Sequence, residues 1–160
     1  MKKNGSKKGF IAIITIIILL LICTVVMLME LSKKVHMNDL PISGNTTGNL
    51  NNSGLFCESN RILYFANAYD HHSLYYYNPD NGKCKKLTDG PIKSINADSH
   101  YIYYVREASK TEGTFGFSSS TFKGLYRMDL NGKHKTCLYN SSVENAQLIN
   151  NKIFFQNYSN

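Results

Sequence analysis

The side chains best suited to chemistry are two adjacent histidines, His71 and His72, which follow Asp70 in the loop "NAYDHHS". Imidazole and carboxylate groups bind metal ions, so this cluster is the first candidate for a metal site. Adjacent side chains on an extended chain point to opposite sides, however, and no other His or Cys lies at a matching spacing. The sequence therefore predicts a polar loop here and no metal ligand.

Two further segments contain residue types found in calcium sites and in serine enzymes. The segment "NPDNG" (residues 78–82) has carboxylate and amide oxygens, but it lacks the spaced ligands and the terminal Glu of a calcium loop. The segment "FSSST" (residues 117–121) has three serines, but no G-x-S-x-G surrounds them and no His/Asp pair can be assigned to them. We therefore predict no catalytic residue, no cofactor and no metal, and we expect that the protein is not an enzyme.

Aromatic residues supply the remaining candidate contacts. Phe115, Phe117 and Phe122 lie in one long loop, where exposed rings could contact a ligand or pack against each other. Among the eleven tyrosines, Tyr76 is predicted to be exposed, because its counterpart in the repeat described below is the polar Arg127. These three phenylalanines and Tyr76 are the candidate ligand contacts, and stacking of tyrosine on sugars is one form of contact to consider.

A membrane-spanning helix is the first element that the sequence predicts, over residues 10–29, "FIAIITIIILLLICTVVMLM". At about 1.5 Å per residue this uncharged run spans ~30 Å, the hydrocarbon thickness of a bilayer. A soluble helix is apolar on one side only, so a run that is apolar on all sides favours the membrane. We therefore expect the lipid bilayer to be a partner of residues 10–29.

Lysines flank this run unequally, and their distribution predicts its orientation. Four lysines precede the run and two follow it: Lys2, Lys3, Lys7, Lys8, Lys33 and Lys34. The more heavily charged side stays in the cytoplasm. We predict a single-pass plasma-membrane protein with residues 1–9 as a cytoplasmic tail and the C-terminal domain outside the cytoplasm.

The formal net charge of +7 does not indicate a nucleic-acid partner. Six of the 18 Lys and Arg residues flank the apolar run. Beyond residue 34, twelve basic residues face ten acidic ones, and no basic stripe forms. Because nucleic-acid binding needs a clustered positive surface, we predict that nucleic acid is not a ligand.

The sequence around the apolar run favours an uncleaved signal anchor. The stretch "VVMLMELSKK" has no small-x-small cleavage site, and Ile22 stands before Cys23 where a lipoprotein needs a small residue. Cys57, Cys84 and Cys137 lie beyond the anchor, and three cysteines cannot all pair internally. One disulfide is possible, and its pairing stays open.

The remainder of the chain is predicted to be an all-β domain over residues 56–160, preceded by a linker or irregular first strand over residues 30–55. Asn, Gly, Thr and Ser dominate the linker, and no helix or strand period survives in it. Short apolar-aromatic runs then alternate with turn clusters such as "NPDNG", "ADSH" and "DLNG". No helical period of convincing length follows the anchor.

A shift of 51 residues aligns one part of this domain with another. The alignment has no gap over three strands: Leu74 on Leu125, Tyr75 on Tyr126, Leu87 on Leu138, Ile102 on Ile153 and Tyr104 on Phe155. An aliphatic-aromatic-aromatic strand occurs three times, as "LYF", "IYY" and "IFF". The second interval between these strands is longer because it includes the loop of residues 107–124. The pattern indicates an internal duplication.

The repeat predicts β-propeller-like blades. We place repeats at residues 61–97 and 101–149, with the start of a third at residues 152–157. Four strands in about 40 residues is the size of one propeller blade. The strands "LYF", "IYY" and "IFF" are apolar on both faces, as expected for a blade covered by its neighbours, whereas an open antiparallel sheet alternates. The predicted fold is an all-β ectodomain of two blades plus one strand.

The pattern "IYY…LYRMDLNGK…L" over residues 44–157 resembles a known family. It is similar to the propellers of low-density-lipoprotein-receptor-related proteins, whose blades carry a Tyr-Trp-Thr-Asp-like strand. It is most similar to bacterial membrane-anchored surface proteins with a domain of unknown function, in which a stretch like "GNTTGNLNNSGLF" opens the propeller. This chain has no Trp, so only the aliphatic and aromatic character of the strand matches. The resemblance implies a fold and a location, and it assigns no catalytic residue.

The predicted function is a non-catalytic, membrane-anchored, extracytoplasmic binding module for a protein or cell-wall ligand. Propellers close with about 4–8 blades, so the sequence indicates either the front fragment of a longer protein or blades completed by a second chain. A fragment without independent function is one alternative. A surface hydrolase directed at the cell wall is another, although the acidic residues are scattered singly along the sequence.

Overall fold

The computed structural model describes residues 4–32, 34–107, 109–112, 118–121 and 124–157. The chain divides into two compact units, Met1–His36 and Met37–Asn160. The first unit contains one long helix, and the second contains a short α-helix, a 3-10 helix over Ala68–Asp70 and all of the described strands. The apolar helix and the β-rich part of the chain thus belong to separate compact units.

The long helix, α1, covers Asn4–Ser32 and extends the predicted apolar run at both ends. Its most apolar 18-residue stretch, within Lys7–Ser32, has a mean hydropathy of 3.3, and 0% of that stretch is buried. The hydroxyls of Thr15 and Thr24 donate hydrogen bonds to carbonyls of their own helix, so the polar side chains are satisfied locally. The helix is long and apolar enough to cross a membrane.

The second unit begins with a short helix and then forms three antiparallel sheets. The helix α2 covers Thr47–Asn51, and the hydroxyl of Thr46 caps it by accepting from the backbone N–H of Asn49. Sheet 1 contains four strands: β1 (Phe56–Ser59), β2 (Ile62–Asn67), β3 (Ser73–Asn78) and β4 (Lys83–Thr88). Neighbours in the sheet are neighbours in the chain, so sheet 1 is a simple meander.

Sheet 2 is a second four-stranded meander that is interrupted by one hairpin. Its first strands are β5 (Ile92–Ala97) and β6 (Tyr101–Arg106), and a separate hairpin of β7 (Ser109–Glu112) and β8 (Ser118–Thr121) follows. The meander then continues with β9 (Gly124–Asp129) and β10 (Thr136–Tyr139). Sheet 3 contains β11 (Val143–Ile149) and β12 (Lys152–Asn157).

The sheets divide the strands differently from the predicted repeats. The repeat over residues 61–97 groups Ile92–Ala97 with the preceding strands, but this strand pairs with Tyr101–Arg106 in sheet 2. Likewise Val143–Ile149 pairs with Lys152–Asn157 and not with Thr136–Tyr139. The predicted repeats begin at the aliphatic-aromatic strand, but this strand is the second strand of each sheet. The strand that the repeat places last in one unit is therefore the first strand of the next sheet.

Two apolar cores hold the three sheets together. The first lies between sheets 1 and 2 and includes Cys57, Tyr64 and Leu74 from one side with Ile102 and Met128 from the other. The second lies between sheets 2 and 3, where Val105 and Leu125 meet Val143 and Ala146. Sheet 2 is therefore covered on both faces, which explains why all of the residues Tyr101–Val105 are buried.

A central cluster of residues Gly44, Asn45 and Asn96 joins all three sheets. The Asn45 side-chain amide donates to the carbonyls of Phe56 in β1 and Ile95 in β5, at 2.8 and 2.6 Å. The buried Asn96 side chain donates to the carbonyl of Ala146 in β11 and accepts from the N–H of Leu148. Residues that the sequence predicts as linker thus lie inside the β unit.

Gly44 permits the close approach that this central cluster needs. Its N–H donates to the carbonyl of Leu148, and its own carbonyl accepts from the N–H of Ala97. A Cβ atom at this position would lie 2.7 Å from Cβ of Leu148 and 2.9 Å from Cβ of Asn96. Both distances are shorter than carbon atoms tolerate, so the backbone of residue 44 fits between β5 and β11 only without a side chain.

We predict that Gly44→Ala destabilises the β unit, because the methyl group must displace Leu148 or Asn96. Overpacking of this kind costs about 1–3 kcal/mol in the free energy of unfolding. Gly48→Ala is the matched control, because nothing lies within 4 Å of a Cβ at residue 48. Thermal and chemical unfolding of both variants provide the test, and equal stabilities would contradict the tight packing at residue 44.

Candidate functional site

The main candidate site is a charged cleft between sheets 2 and 3. Its volume is about 250 Å³. The lining residues come from β5, β6, β9, β11 and the turns beside them: Lys93, Val105, Arg106, Glu107, Gly124, Ser142, Val143 and Glu144. Four of these eight residues are charged, so the cleft combines ionised side chains with the apolar side chains of Val105 and Val143.

Lys93 is the central residue of the charged cleft. Its ammonium Nζ lies 2.5 Å from a carboxylate oxygen of Glu107 and 2.7 Å from one of Glu144. The second oxygen of Glu144 also accepts from Nζ, at 2.8 Å. Only 15% of the Lys93 side chain is exposed, whereas both carboxylates are nearly half exposed. The lysine thus links the strand β5 of sheet 2 to the strand β11 of sheet 3.

Two opposing effects determine the pKa of Lys93. Burial disfavours the charged ammonium and lowers the pKa, while the hydrogen bonds and charges of Glu107 and Glu144 raise it. The carboxylates prevail, and the pKa of Lys93 is raised above its ordinary value. The ammonium therefore stays protonated, and Lys93 is not a candidate for a nucleophile or a general base at neutral pH.

Glu107 and Glu144 also meet one geometric condition for glycoside hydrolysis. Because both bind the same Nζ atom, their nearest oxygens lie no more than about 5 Å apart, which is compatible with the carboxyl separation of retaining glycosidases. In those enzymes, however, the scissile bond occupies the space between the two carboxylates. Here Lys93 occupies that space, so the arrangement suits an ion-pair network that joins two sheets.

A second cleft, of about 330 Å³, lies beside the first strand of sheet 1. Five of its seven lining residues are polar, and all seven come from the segment before β1 and from β1 and β2: Ser43, Asn45, Thr46, Asn49, Phe56, Glu58 and Leu63. The side chain of Asn45 is already saturated, since its oxygen accepts from Thr46 N–H and from the Asn49 amide. The Asn45 side chain therefore has a structural role in this cleft.

A third cluster joins Asp70, Lys86 and Asp89 on sheet 1. The Lys86 ammonium lies 2.7 Å from Asp70 and 2.6 Å from Asp89. The hydroxyl of Tyr75 donates to the same Asp70 oxygen at 2.9 Å. Lys86 lowers the pKa of both carboxyls below their ordinary value, and Tyr75 adds to the effect at Asp70. The two carboxylates in turn raise the pKa of Lys86.

The adjacent histidines form a turn that is held by backbone hydrogen bonds. Both His71 and His72 have positive φ, at 49° and 55°, so they form a tight left-handed turn. The backbone of His72 donates to the carbonyl of Asn67 and accepts from the N–H of Ile92. Among the described residues, no group of three His, Cys, Asp or Glu side chains could hold a metal ion.

Of the four candidate contact residues, the structure describes only Tyr76. Phe115, Phe117 and Phe122 lie outside the described residues. The prediction that Tyr76 is exposed is corrected, because Tyr76 is half-buried and packs against the core between sheets 1 and 2. It shares the inward face of sheet 1 with Tyr64, its cross-strand partner. The neighbouring Tyr77 points the other way and is 37% exposed.

All four cysteines are free thiols. Cys57 is buried, and its thiol donates to the carbonyl of Gly44 at 2.9 Å. Burial raises the pKa of Cys57 to about 12, so this thiol is not reactive. Cys84 and Cys137 are exposed, each on the fourth strand of its meander.

Comparison with known proteins adds no assignment, because no protein-family model and no curated protein matches this chain. The functional interpretation therefore depends on the geometry of the two units.

Lys93, Glu107 and Glu144 are the residues that sequence reasoning missed. Lys93 and Glu144 are 51 residues apart, so they occupy equivalent positions in the predicted repeat and carry opposite charges. Opposite charges at equivalent positions of the repeat could have predicted this ion pair, because equivalent positions of adjacent sheets lie close in space. Glu107 gives no such signal, since it follows β6 where the long hairpin begins.

We predict that Lys86→Gln raises the pKa of Asp89 toward its ordinary value, and that of Asp70 by less, because Tyr75 still binds Asp70. A carboxylate with a lowered folded pKa adds stability above its unfolded pKa, and this stability is lost as pH falls through the folded value. The variant should therefore be less stable than wild type at neutral pH, and the difference should vanish in acid. Carboxyl ¹³C titrations and unfolding at several pH values provide the test.

The control is Lys85→Gln, which removes a lysine that neighbours Lys86 and pairs across the sheet with Tyr76 on the inward-facing row. It should leave both titration midpoints where they are in wild type. Unchanged midpoints in Lys86→Gln would contradict the assigned ion pairs.

Proposed function

We propose that this chain is a non-catalytic, membrane-anchored binding module whose β unit lies outside the cytoplasm. The observation that carries the proposal is the helix segment Lys7–Ser32. It is strongly apolar, and 0% of its most apolar 18-residue stretch is buried. Exposed apolar surface of this extent is unfavourable in water and favourable in a bilayer. The lipid bilayer is the first partner, and a protein or cell-wall ligand is the second.

The lysine distribution supports the orientation. Four lysines precede the apolar segment within the first eight residues, and two follow it at Lys33 and Lys34. Positively charged flanks remain on the cytoplasmic side, and the larger cluster dominates. The β unit that begins at Met37 then faces the outside.

Three features support propeller-type blades for the β unit. Sheets 1 and 2 are both four-stranded antiparallel meanders, as propeller blades are. Their first strands, β1 and β5, are joined through Asn45, and β5 and β11 are joined through Asn96. The hydrogen bonds from Asn45 to Ile95 and from Asn96 to Ala146 are related by the same offset of 51 residues as the sequence repeat.

The same features favour membership among the bacterial surface proteins that the sequence resembles. In such a module, ligand contact falls to loops and hairpins at the sheet ends. The hairpin of β7 and β8 interrupts sheet 2 at the place where sheet 1 has only residues 68–72, which include a 3-10 helix. We propose this hairpin as the ligand-contacting segment, together with Phe115, Phe117 and Phe122, which lie between its strands or next to them in the sequence.

A surface hydrolase is the second candidate function, and the charged cleft is the observation that favours it. Glu107 and Glu144 converge there on one Nζ atom, so their nearest oxygens lie no more than about 5 Å apart, which is compatible with a pair of catalytic carboxylates. The position of Lys93 between them favours the binding module. Release of reducing sugar from purified cell wall by wild type, with loss of that activity in Glu144→Gln, would support the hydrolase.

We predict that protease added to intact cells removes the β unit of a C-terminally tagged full-length chain. The predicted result is loss of the C-terminal tag without lysis, because the β unit follows the anchor on the outer side. A cytoplasmic protein measured in the same cells should stay intact until the membrane is permeabilised. Protection of the tag in intact cells, with digestion after permeabilisation, would contradict the orientation.

A further inference from the structure

Sheet 3 repeats the first two strands of sheet 2 in the same register. The strands β5 and β6 form an antiparallel pair whose register shifts after Lys93. The strands β11 and β12 form the same kind of pair, and their register shifts after Glu144, which lies 51 residues later. The strand β12 is therefore the structural equivalent of β6. The matching pairs are Ile92↔Arg106, Lys93↔Val105, Asn96↔Tyr103 and Ala97↔Ile102 in sheet 2, and Val143↔Asn157, Glu144↔Gln156, Gln147↔Phe154 and Leu148↔Ile153 in sheet 3.

The two equivalent strands differ at their second edge. The strand β6 also pairs with β9 along Tyr101–Arg106, and all of the residues Tyr101–Val105 are buried. Within the described part of the chain, β11 is the only strand that pairs with β12. Phe154 is 57% exposed, whereas its equivalent Tyr103 is 9% exposed. We call the side of β12 that faces away from β11 the open edge, and such an edge can pair with an added strand.

The outermost strands of sheets 1 and 2 are less suited to strand addition. Each has an extra residue in its ladder, Leu87 in β4 and Leu138 in β10. The strand β4 also has three lysines, Lys83, Lys85 and Lys86. Bulges and lysines on an edge strand oppose pairing with a further strand. In sheet 3 the extra residue lies in β11, so β12 is regular, and it has one lysine.

The chain itself shows which kind of strand pairs with this edge. In sheet 1, β3 pairs with β2, and in sheet 2, β9 pairs with β6. The two added strands read SLYYYN and GLYRMD, so they share the pattern small-Leu-Tyr-x-(Tyr/Met)-(Asn/Asp). Their register is also the same, because Tyr75 lies opposite Phe65 and Tyr126 lies opposite Tyr104. Both pairs stack their rings, with centroids 5.8 and 5.7 Å apart.

The same register predicts the contacts of a strand that adds to β12. Its first Tyr lies opposite Phe155, which is the equivalent of Tyr104 and is partly buried against the second core. Its Tyr or Met lies opposite Ile153, as Met128 lies opposite Ile102 in sheet 2. Ile153 packs on the same core as Phe155. The added strand therefore extends an apolar core that already exists between sheets 2 and 3.

We propose that the open edge of β12 binds an extended peptide segment of another polypeptide, as an antiparallel strand with the pattern small-Leu-Tyr-x-(Tyr/Met)-(Asn/Asp). Backbone hydrogen bonds supply affinity and the alternate side chains supply selectivity, as in other cases of strand addition. The inference rests on the proposed function of a binding module, and it names the chemistry of the protein ligand. Strand addition does not require a particular side of the membrane, so protease shaving and peptide binding can fail independently.

The binding test uses the full-length chain in mild detergent and a fluorescent synthetic peptide with the sequence of residues 123–131, KGLYRMDLN. Fluorescence anisotropy should show saturable binding. Leu125→Lys or Tyr126→Lys in the peptide should weaken binding at least about tenfold, because each removes a side chain that the pattern requires. Arg127→Gln in the peptide is the matched control, since this position varies between β3 and β9, and it should change the affinity less than about twofold.

Disulfide crosslinking tests whether the peptide lies at the open edge. Sheet 2 pairs Tyr103 with Arg127, and Phe154 is the equivalent of Tyr103. Phe154→Cys in the chain should therefore crosslink a peptide that carries Arg127→Cys, because cross-strand partners lie within the span of a disulfide. Cys84→Ser and Cys137→Ser remove the exposed thiols of the β unit from this background.

A second cysteine pair tests the register. Lys152→Cys in the chain should crosslink a peptide that carries Asp129→Cys, because Tyr101 pairs with Asp129 in sheet 2. Crossed combinations place the cysteines about 7–8 Å apart on a diagonal, which is farther than a disulfide spans. Absence of saturable binding, equal binding of the Tyr126→Lys peptide, or equal crosslinking in the crossed combinations would overturn the proposal. A Phe154→Cys homodimer that forms equally well with and without peptide would also overturn it, because a second copy would then occupy the edge.

Discussion

The hydrogen bonds of the buried Asn96 amide are the interaction on which the β unit depends most. This amide donates to Ser94 and Ala146 carbonyls and accepts from Leu148, so it replaces the backbone pairing that β5 and β11 do not make directly. Asn45 performs the same task between β1 and β5. A buried amide without partners costs more free energy than the bonds contribute, so the sheets must keep these positions together.

The charged cleft and the arrangement of the three sheets follow from that constraint. Because β5 and β11 are held side by side, Lys93 and Glu144 are brought into contact, and the charged cleft forms where sheets 2 and 3 diverge. Because all three first strands meet at the central cluster, sheet 2 is covered twice and the outer sheets only once. The ion pairs and the packing of the sheets are thus consequences of how Asn45 and Asn96 join the strands.

Much of the architecture could be predicted from the sequence. The apolar run over residues 10–29 indicates a helix by length and composition alone, and the aromatic strands with Asn-Gly and Asp-Asn-Gly turns indicate antiparallel meanders. The sheet boundaries were not predictable, because strands such as Ile92–Ala97 are compatible with either neighbour and only tertiary packing decides. Tyr76 shows the same limit of sequence reasoning. Its counterpart in the repeat, Arg127, is polar, but this did not determine that Tyr76 lies on the face of sheet 1 that packs on the core.

The central cluster was also beyond sequence reasoning, although its residues share the repeat offset. Asn and Gly before β1 have the composition of a flexible linker, and their burial depends on contacts with residues about 50 and 100 positions away. The charged cleft depends on similar long-range contacts between Lys93 and Glu144. Local periodicity identifies strands, whereas these side chains acquire their roles only when three sheets converge.

Hydrogen–deuterium exchange of the full-length chain under native conditions tests the central role of these amides most directly. If Asn45 and Asn96 join the sheets into one cooperative unit, the most protected amides of sheets 1, 2 and 3 should open with one common free energy. In Asn96→Ala, protection should then fall in all three sheets together. A sheet 3 that exchanges independently in wild type, or a loss confined to β11 and β12 in the variant, would contradict this account.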